Sequence, residues 1–473
     1  MLKIDRIPDA WPGLAKLVPV VPSEPSGTWR HGHQNPQGLR RTCRTDWNDT
    51  VRFVAPTETL SRSSMLVIVA LNEIPTTSPD SSISSIRASM STDPPLSIAI
   101  IGAGIAGVTL AIALSGHNPN IHITIFESRL RFSEISAGVG LGPNAVKAMD
   151  LISPKITEAY NTVKTANLSP EKAQVWYDIR YGDGPKAGNM ISEMKSENGF
   201  VPCTASRAQF LAKLIDLLPE AVEVRFGKRV IDVESDDMDE PGKTRVRFED
   251  GTDVHVDAVI GCDGIRSACR RILLGDNDRS ANAVYSGKYA YRKVVDMSKA
   301  IKAVGPEIQN RQVYLGQGGH ITTCPIRNGK ALNMVAFKDG KGAPWKQRQW
   351  VIPSSRDALL ADFKGWGDKA IKLLGLIEDP EKWAFLMGPN LSRPPHAIKQ
   401  AFAAYDQIRR PRGQELIKRS RKQGMLLDLQ GHGKINQELR IRVGLNQKWV
   451  WDADLEGMLE QARALLDEYQ EIK

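Results

Sequence analysis

The sequence predicts an α/β fold with an α+β insert: a Rossmann-like domain, an antiparallel sheet set into the middle of the chain, and helices toward its end. Three observations carry this. Leu96 to Glu127 reads as an apolar run, a glycine turn, an Ala- and Leu-rich helical stretch and a second β-branched run. Tyr285 to Phe337 alternates with a period of two, as YAYRKVV, QVYLG, HITTCPI and ALNMVAF. Beyond it, helical spacing covers Ser355 to Leu376, Ala397 to Arg409 and Leu455 to Tyr469.

Residues 1–95 are rich in Pro, Ser, Thr and Arg and hold no sustained period, so this segment is expected to be disordered. Nucleotide-binding chains of this kind usually begin just before their first strand. That makes Met90 the expected start, with the preceding residues an over-extended gene reading or a flexible tail.

Residues 96–280 form the expected cofactor domain. Gly102-Ala103-Gly104-Ile105-Ala106-Gly107 follows the first strand. Gly102 permits the tight turn, Gly104 lets backbone approach a pyrophosphate, and Gly107 lets the helix lie close to the sheet. The helix N-terminus offers free N–H groups and a positive dipole end. Glu127 lies about 20 residues further on, where an acid reaches an adenosine ribose. Its charge would repel a 2′-phosphate, which favours FAD or NAD over NADP, although Arg129 and Arg131 soften the point. The plainer alternative is a structural glycine turn with Glu127 exposed at a strand end.

A second glycine-rich turn, Ser136 to Asn144, leads into a helix through Leu151. Arg207 opens a helix with Phe210, Leu211, Leu214, Ile215 and Leu218 at helical spacing. Strands are expected at Val222–Phe226, at Thr244–Phe248 and, after an Asp250-Gly251 turn, from Val254 to Ile260, ending in Gly261-Cys262-Asp263-Gly264. Residues 281–385 form an antiparallel-sheet domain. Residues 386–473 return to the first domain and end in helices, where the tryptophans are expected to serve packing.

Composition is ordinary for a globular protein, 41% hydrophobic and 25% charged, with a net charge of +9. The basic stretch Arg409 to Lys422 is interleaved with Glu415, Leu416 and Ile417, as on a solvated helix face, which argues against nucleic acid. Five scattered cysteines and no C-x-x-C pair argue against a metal site and for a reducing compartment. No apolar run is long enough for a membrane span, so a soluble cytoplasmic protein is expected.

The motifs fall in a telling order: Gly102 to Gly107 with Glu127; Ala137-Gly138-Val139-Gly140-Leu141-Gly142-Pro143-Asn144-Ala145; Arg207; Ile260 to Ser267; Ala290-Tyr291-Arg292; then Tyr405-Asp406 with Arg409 to Arg412, and Trp451 to Leu455. Over residues 96 to 470 this resembles the single-component FAD-dependent aromatic monooxygenases, closest to the fungal salicylate hydroxylase-like group. The resemblance implies FAD as cofactor, NADH or NADPH as transient reductant, and O2 with a small phenolic or salicylate-like ring as substrates, in a monomer or homodimer. It implies that Glu127 holds the adenosine ribose, that Gly138 and Gly140 pass close to the cofactor, and that Arg207 reaches the flavin or its phosphates. Asp263 and Gly264 would serve FAD and the nicotinamide cofactor, and Arg292 would stabilise the substrate's negative charge. His320 is a candidate substrate neighbour. Cys324 stands where some relatives carry a tyrosine. From the residues alone, Arg207 is equally a solvated helix start, Asp263-Gly264 a plain turn and Arg292 a surface strand arginine.

One departure stands out. The family carries a late strand ending in Gly-Asp, then a His-Pro-containing glycine-rich loop and a long helix. Here only Phe385 to His396 separates Trp383-Ala384 from the next helix. This leaves three functions open: an aromatic hydroxylase, a remnant or misread form that keeps part of the FAD site, and an NAD-dependent dehydrogenase, for which no catalytic constellation is visible.

Overall fold

The computed structural model describes residues 95–132, 137–235, 243–387, 399–430 and 437–471. The expectations for residues 1–94, including a start at Met90, lie outside these, as does all but Phe385–Met387 of the Phe385–His396 stretch in which the Gly-Asp segment is missing.

A four-stranded parallel sheet forms the first layer, in the order Ala258–Gly261, Ser97–Ile101, His122–Glu127 and Glu223–Phe226. Its central strand is apolar along its length because it is covered on both faces; Ala99 and Ile100 are fully buried. The helix Ile105–His117 buries Val108 and every residue from Leu110 to Leu114. That near-continuous burial reflects its place between the sheet and the helices Pro154–Val163 and Arg207–Ile215.

The expected strand from Val254 to Ile260 is two strands. Asp253–Val256 pairs with Thr244–Phe248 in a separate three-stranded sheet, whereas Ala258–Gly261 joins the parallel sheet. Asp257 makes the break. Its carboxylate accepts from Ser97 N and Oγ at 2.8 and 2.7 Å and from Lys243 Nζ at 2.8 Å, anchoring the crossing point to the start of the central strand.

The second layer is an eight-stranded sheet, ordered Val351–Pro353, Glu381–Met387, Val284–Asp296, Ala331–Asp339, Gly319–Ile326, Gln312–Gly316, Val175–Tyr181 and Met190–Lys195. It is antiparallel except where Gln312–Gly316 meets Val175–Tyr181. Alternation sorts its faces. Tyr291, Val295, Ile321, Met334 and Ala336 pack against the helices Met297–Val304, Arg356–Asp362 and Asp368–Leu374. On the opposite face, Ala290, Phe337 and His320 form one cross-strand row, and Arg292, Val335 and Thr322 the next. A small sheet of Lys164–Thr165, Cys203–Ser206 and Gly138–Leu141 reaches the larger one through Gly138 N–H, which donates to Asn333 Oδ1 at 3.0 Å.

Two helical expectations change. Ser355 to Leu376 is two helices separated by a turn at Gly365–Gly367. The helix expected to stop at Arg409 runs Lys399–Leu427 straight through Pro411. The i,i+4 pairs Asp406–Arg410 and Glu415–Arg419 bracket the proline, and Leu426 and Leu427 are buried at the far end, which compensates the backbone hydrogen bond that proline cannot make. No described helix is long and apolar enough to cross a membrane.

Candidate functional site

The glycine turn lies at the carboxyl edge of the parallel sheet, where such sheets bind ligands. Gly102 has φ +108°, and a Cβ there would sit 2.7 Å from Cys262 O. A Cβ on Gly107 would sit 2.0 Å from Gly102 O, so the helix can approach only as glycine. Gly104 differs: its nearest neighbour would be Arg207 Nη2, at 3.7 Å. It faces an open crevice spanned by a guanidinium. Glu127, at the end of the second strand, accepts from Ala103 N–H at 3.0 Å and from Arg129 N–H at 2.9 Å, so it shapes the loop as well as bordering it.

Arg207 is aimed by its backbone. Its N–H donates to Ala137 O at 2.9 Å, directly before the Gly138–Leu141 strand that pairs with Cys203–Ser206. Burial, the nearby Arg129 and Arg292 push its guanidinium below its ordinary value, with Glu127 acting the other way. An arginine stays cationic regardless, so the crevice gathers three positive groups beside one acid, a field that favours an anionic ligand.

Asp263 meets the glycine turn through its backbone, whereas a Cβ on Gly264 would have no atom within 4 Å. Asp263 Cα would lie 3.0 Å from a Cβ on Gly102. The Asp263 carboxylate accepts from Ala268 N at 2.7 Å and Cys269 N at 3.1 Å at the start of the helix Ala268–Leu274, whose N-cap, Ser267, accepts from Arg270 N. Gly138 lies against Asn333, and Gly140 opposite Thr204, both in a fully buried strand.

Arg292 stands on the free face of the large sheet, its Cζ 5.4 Å above the Trp383 ring. Beside it Ala290, Val335, Phe337 and Phe385 form an apolar cluster. Arg292 is thus close enough to Arg207 for its charge to be felt there, although the two lie on different elements. Cys324, on the same face, lies 3.8 Å from Tyr177 Oη. No group of three or more His, Cys, Asp or Glu among the described residues is placed to hold a metal.

Three residues, Asn333, Trp383 and Phe385, take roles that the sequence did not assign, and the expected substrate neighbour His320 gains two buried partners. Asn333 ties the glycine strand to the sheet. Trp383 and Phe385 wall the site as well as packing. His320 is fully buried with Lys288 and Asp428. Asn333 was within reach of period-two alternation, since it shares the face of Arg292 and His320; Asp428 carried no local signal.

No family model matches the sequence. The chain is 39% identical over 292 residues to the 6-methylsalicylate 1-monooxygenase atA of Aspergillus terreus, covering 62% of this chain and 64% of that relative, just under two thirds of its length. It is 31% identical over 426 residues to the FAD-dependent monooxygenase pigN of Monascus ruber, covering 78% and 96%. A salicylate hydroxylase of Pseudomonas putida is 32% identical over 428 residues, covering 78% and 95%. Among solved structures, a salicylate hydroxylase substrate complex superposes with a TM-score of 0.64 at 25% identity, over 78% of this chain and 98% of that one. In the pigN match, 78% of 473 residues is about 370, against 426 aligned positions, so several tens of positions in that relative face no residue here.

Proposed function

This chain belongs to the FAD-dependent monooxygenases that include the salicylate hydroxylases, and from that premise we propose that it hydroxylates a phenolic or salicylate-like ring with O2, using NADH or NADPH as reductant. Bound FAD would supply the activation of oxygen and its delivery to an electron-rich ring. The protein's part is binding, orientation and exclusion of water.

The cradle fits the adenosine-diphosphate half of that cofactor. Gly102 and Gly107 close the turn, while Gly104 leaves the crevice open beneath Arg207. The N-terminus of Ile105–His117 and Arg207 would hold the diphosphate, and Glu127 would reach the ribose. Gly138 and Gly140 would run beside the cofactor, with the Asp263-Gly264 backbone at its edge. Arg292 would take the substrate's carboxylate or phenolate, with Val335, Phe337 and Phe385 against the ring. The carrying observation is the convergence of Arg207 over Gly104 with Arg292 beside the apolar cluster of Ala290, Val335, Phe337 and Phe385. A cytoplasmic monomer or homodimer that needs neither membrane nor nucleic acid completes the proposal. Cys203, Cys262, Cys269 and Cys324 form no disulfide among the described residues, in keeping with a reducing compartment. Purified protein should bind FAD and oxidise NADH or NADPH faster when salicylate or another phenol is added, releasing a hydroxylated product. FAD-loaded protein that shows no stimulation across a phenol panel sinks the proposal.

A second reading is a form with an impaired flavin site. The relatives' unmatched positions support it, as does the short passage at 388–398, where the family's Gly-Asp segment is expected. A colourless protein that takes up no FAD would favour it.

A further inference from the structure

Three of the ordered motifs have no part in the cofactor cradle or beside Arg292: Pro143-Asn144-Ala145, Arg409 to Arg412, and Trp451 to Leu455. The fold gathers residues from all three around one cavity of about 100 Å³. Its walls come from the helices Ile105–His117, Pro143–Ile152, Arg207–Ile215, Lys399–Leu427 and Gln437–Trp451 and from the start of Leu455–Glu471. No strand of the large sheet that carries Arg292 lines it. A cavity of this order admits one small ring or a short branched chain.

The walls are mostly apolar, with Met149, Phe210 and Val450 buried and Leu416 beside them. Two guanidiniums interrupt them, Arg409 and Arg412, three residues apart on one helix. Arg412 is held in place: its Cζ lies 4.4 Å from the centre of the Trp449 ring, and Nη2 donates to Val450 O at 3.3 Å. These contacts orient the fork without neutralising it. The two acids of that helix, Asp406 and Glu415, pair instead with Arg410 and Arg419, and Arg412 meets no carboxylate among the described residues. Arg409 is hydrogen-bonded to Tyr405 and donates to Met458 Sδ at 3.5 Å. Burial, Arg409 and Arg419 push Arg412 below its ordinary value. Like charges gathered at an apolar wall are costly, and a bound anion relieves that cost. Asn144 also lines the cavity, and its Oδ1 is buried with no hydrogen-bond partner among the described residues. Turned over, the same amide presents N–H donors to an anion.

We propose that this cavity is a second ligand site, separate from Arg292, that takes a small apolar carboxylate. The hydrocarbon body lies among Phe210, Leu416 and Val450, the carboxylate meets Arg412, and Asn144 supplies a neutral contact. The inference is independent of the aromatic-hydroxylase reading, since no ring hydroxyl, reductant or oxygen enters it.

Calorimetric titration of the Arg292→Met protein with benzoate, with and without FAD, tests this, because the substitution silences the other anion contact. One benzoate should bind per chain in both conditions, at least ~10-fold more tightly than benzyl alcohol, which has the ring without the charge. Arg412→Met in the same background should weaken benzoate at least ~10-fold and leave benzyl alcohol within about threefold. Ala148→Leu extends a side chain into the cavity from the helix Pro143–Ile152 and should abolish binding of both. If Arg412→Met does not fold, Ala148→Leu decides. An Arg292→Met protein that binds no benzoate overturns the inference, as does benzoate binding that neither Arg412→Met nor Ala148→Leu changes. Benzoate that binds only when FAD is absent also overturns it, by placing the cavity within the cofactor's seat. Each of these results leaves the hydroxylase reading intact.

Discussion

Each glycine of the turn has a separate test. Gly107→Ala forces a methyl onto Gly102 O and should cost about 1–3 kcal/mol or more, seen as a lower urea midpoint. Gly104→Ala meets no atom closer than 3.7 Å, so stability should hold while FAD affinity falls, because the methyl enters the crevice. Equal loss of stability in both variants would refute this division of roles. Arg292→Met should leave the unfolding midpoint nearly unchanged and remove about 1.5–3 kcal/mol of binding for an anionic substrate, measured by titration. The close fit at Gly102 and Gly107 was legible because it follows from local backbone geometry. Asp263 shows the limit: its place beside Gly102 follows from the motif, whereas its carboxylate is taken by the N–H groups of Ala268 and Cys269, a choice made by the helix packed after it.

Among the elements, the crossing at Asp257 has a pH signature. Burial opposes ionisation there, but Lys243 and Ser97 outweigh it and hold the carboxyl at about 2, below its ordinary 3.8. A depressed value means stability that is present above about pH 4 and lost as pH falls toward 2, worth about 2 kcal/mol. Asp257→Asn should therefore destabilise the protein at pH 7 in urea titrations and make little difference near pH 2. An equal penalty at both pH values would contradict this. The apolar run from Val254 to Ile260 looked like one strand because both halves are β-branched. The division needed Asp257 to find Ser97, 160 positions away in sequence. The long final-domain helix was likewise cut short in expectation at Pro411, since local propensity does not register the buried leucines beyond it.

Over the whole molecule, the two halves of the FAD site can be separated by ligand. FAD at one hundred times its dissociation constant should raise stability by about 2.7 kcal/mol, visible as a higher melting midpoint. If ADP at the same multiple matches FAD while FAD binds no more tightly, only the adenosine half of the site engages. If FAD binds far more tightly than ADP, the flavin half contributes and the impaired-site reading falls. The residues of the βαβ unit, the alternating middle strands and the ordered motifs specified the fold class and the glycine turn, because these depend on contacts between near neighbours in the chain and on repeating periods. The meeting of Arg207 with Arg292, the tie from Gly138 to Asn333 and the burial of His320 with Lys288 and Asp428 emerged only on folding. Those partners are far apart along the chain, and only strand pairing and the packing of helices and strands around the large sheet bring them within reach of one another.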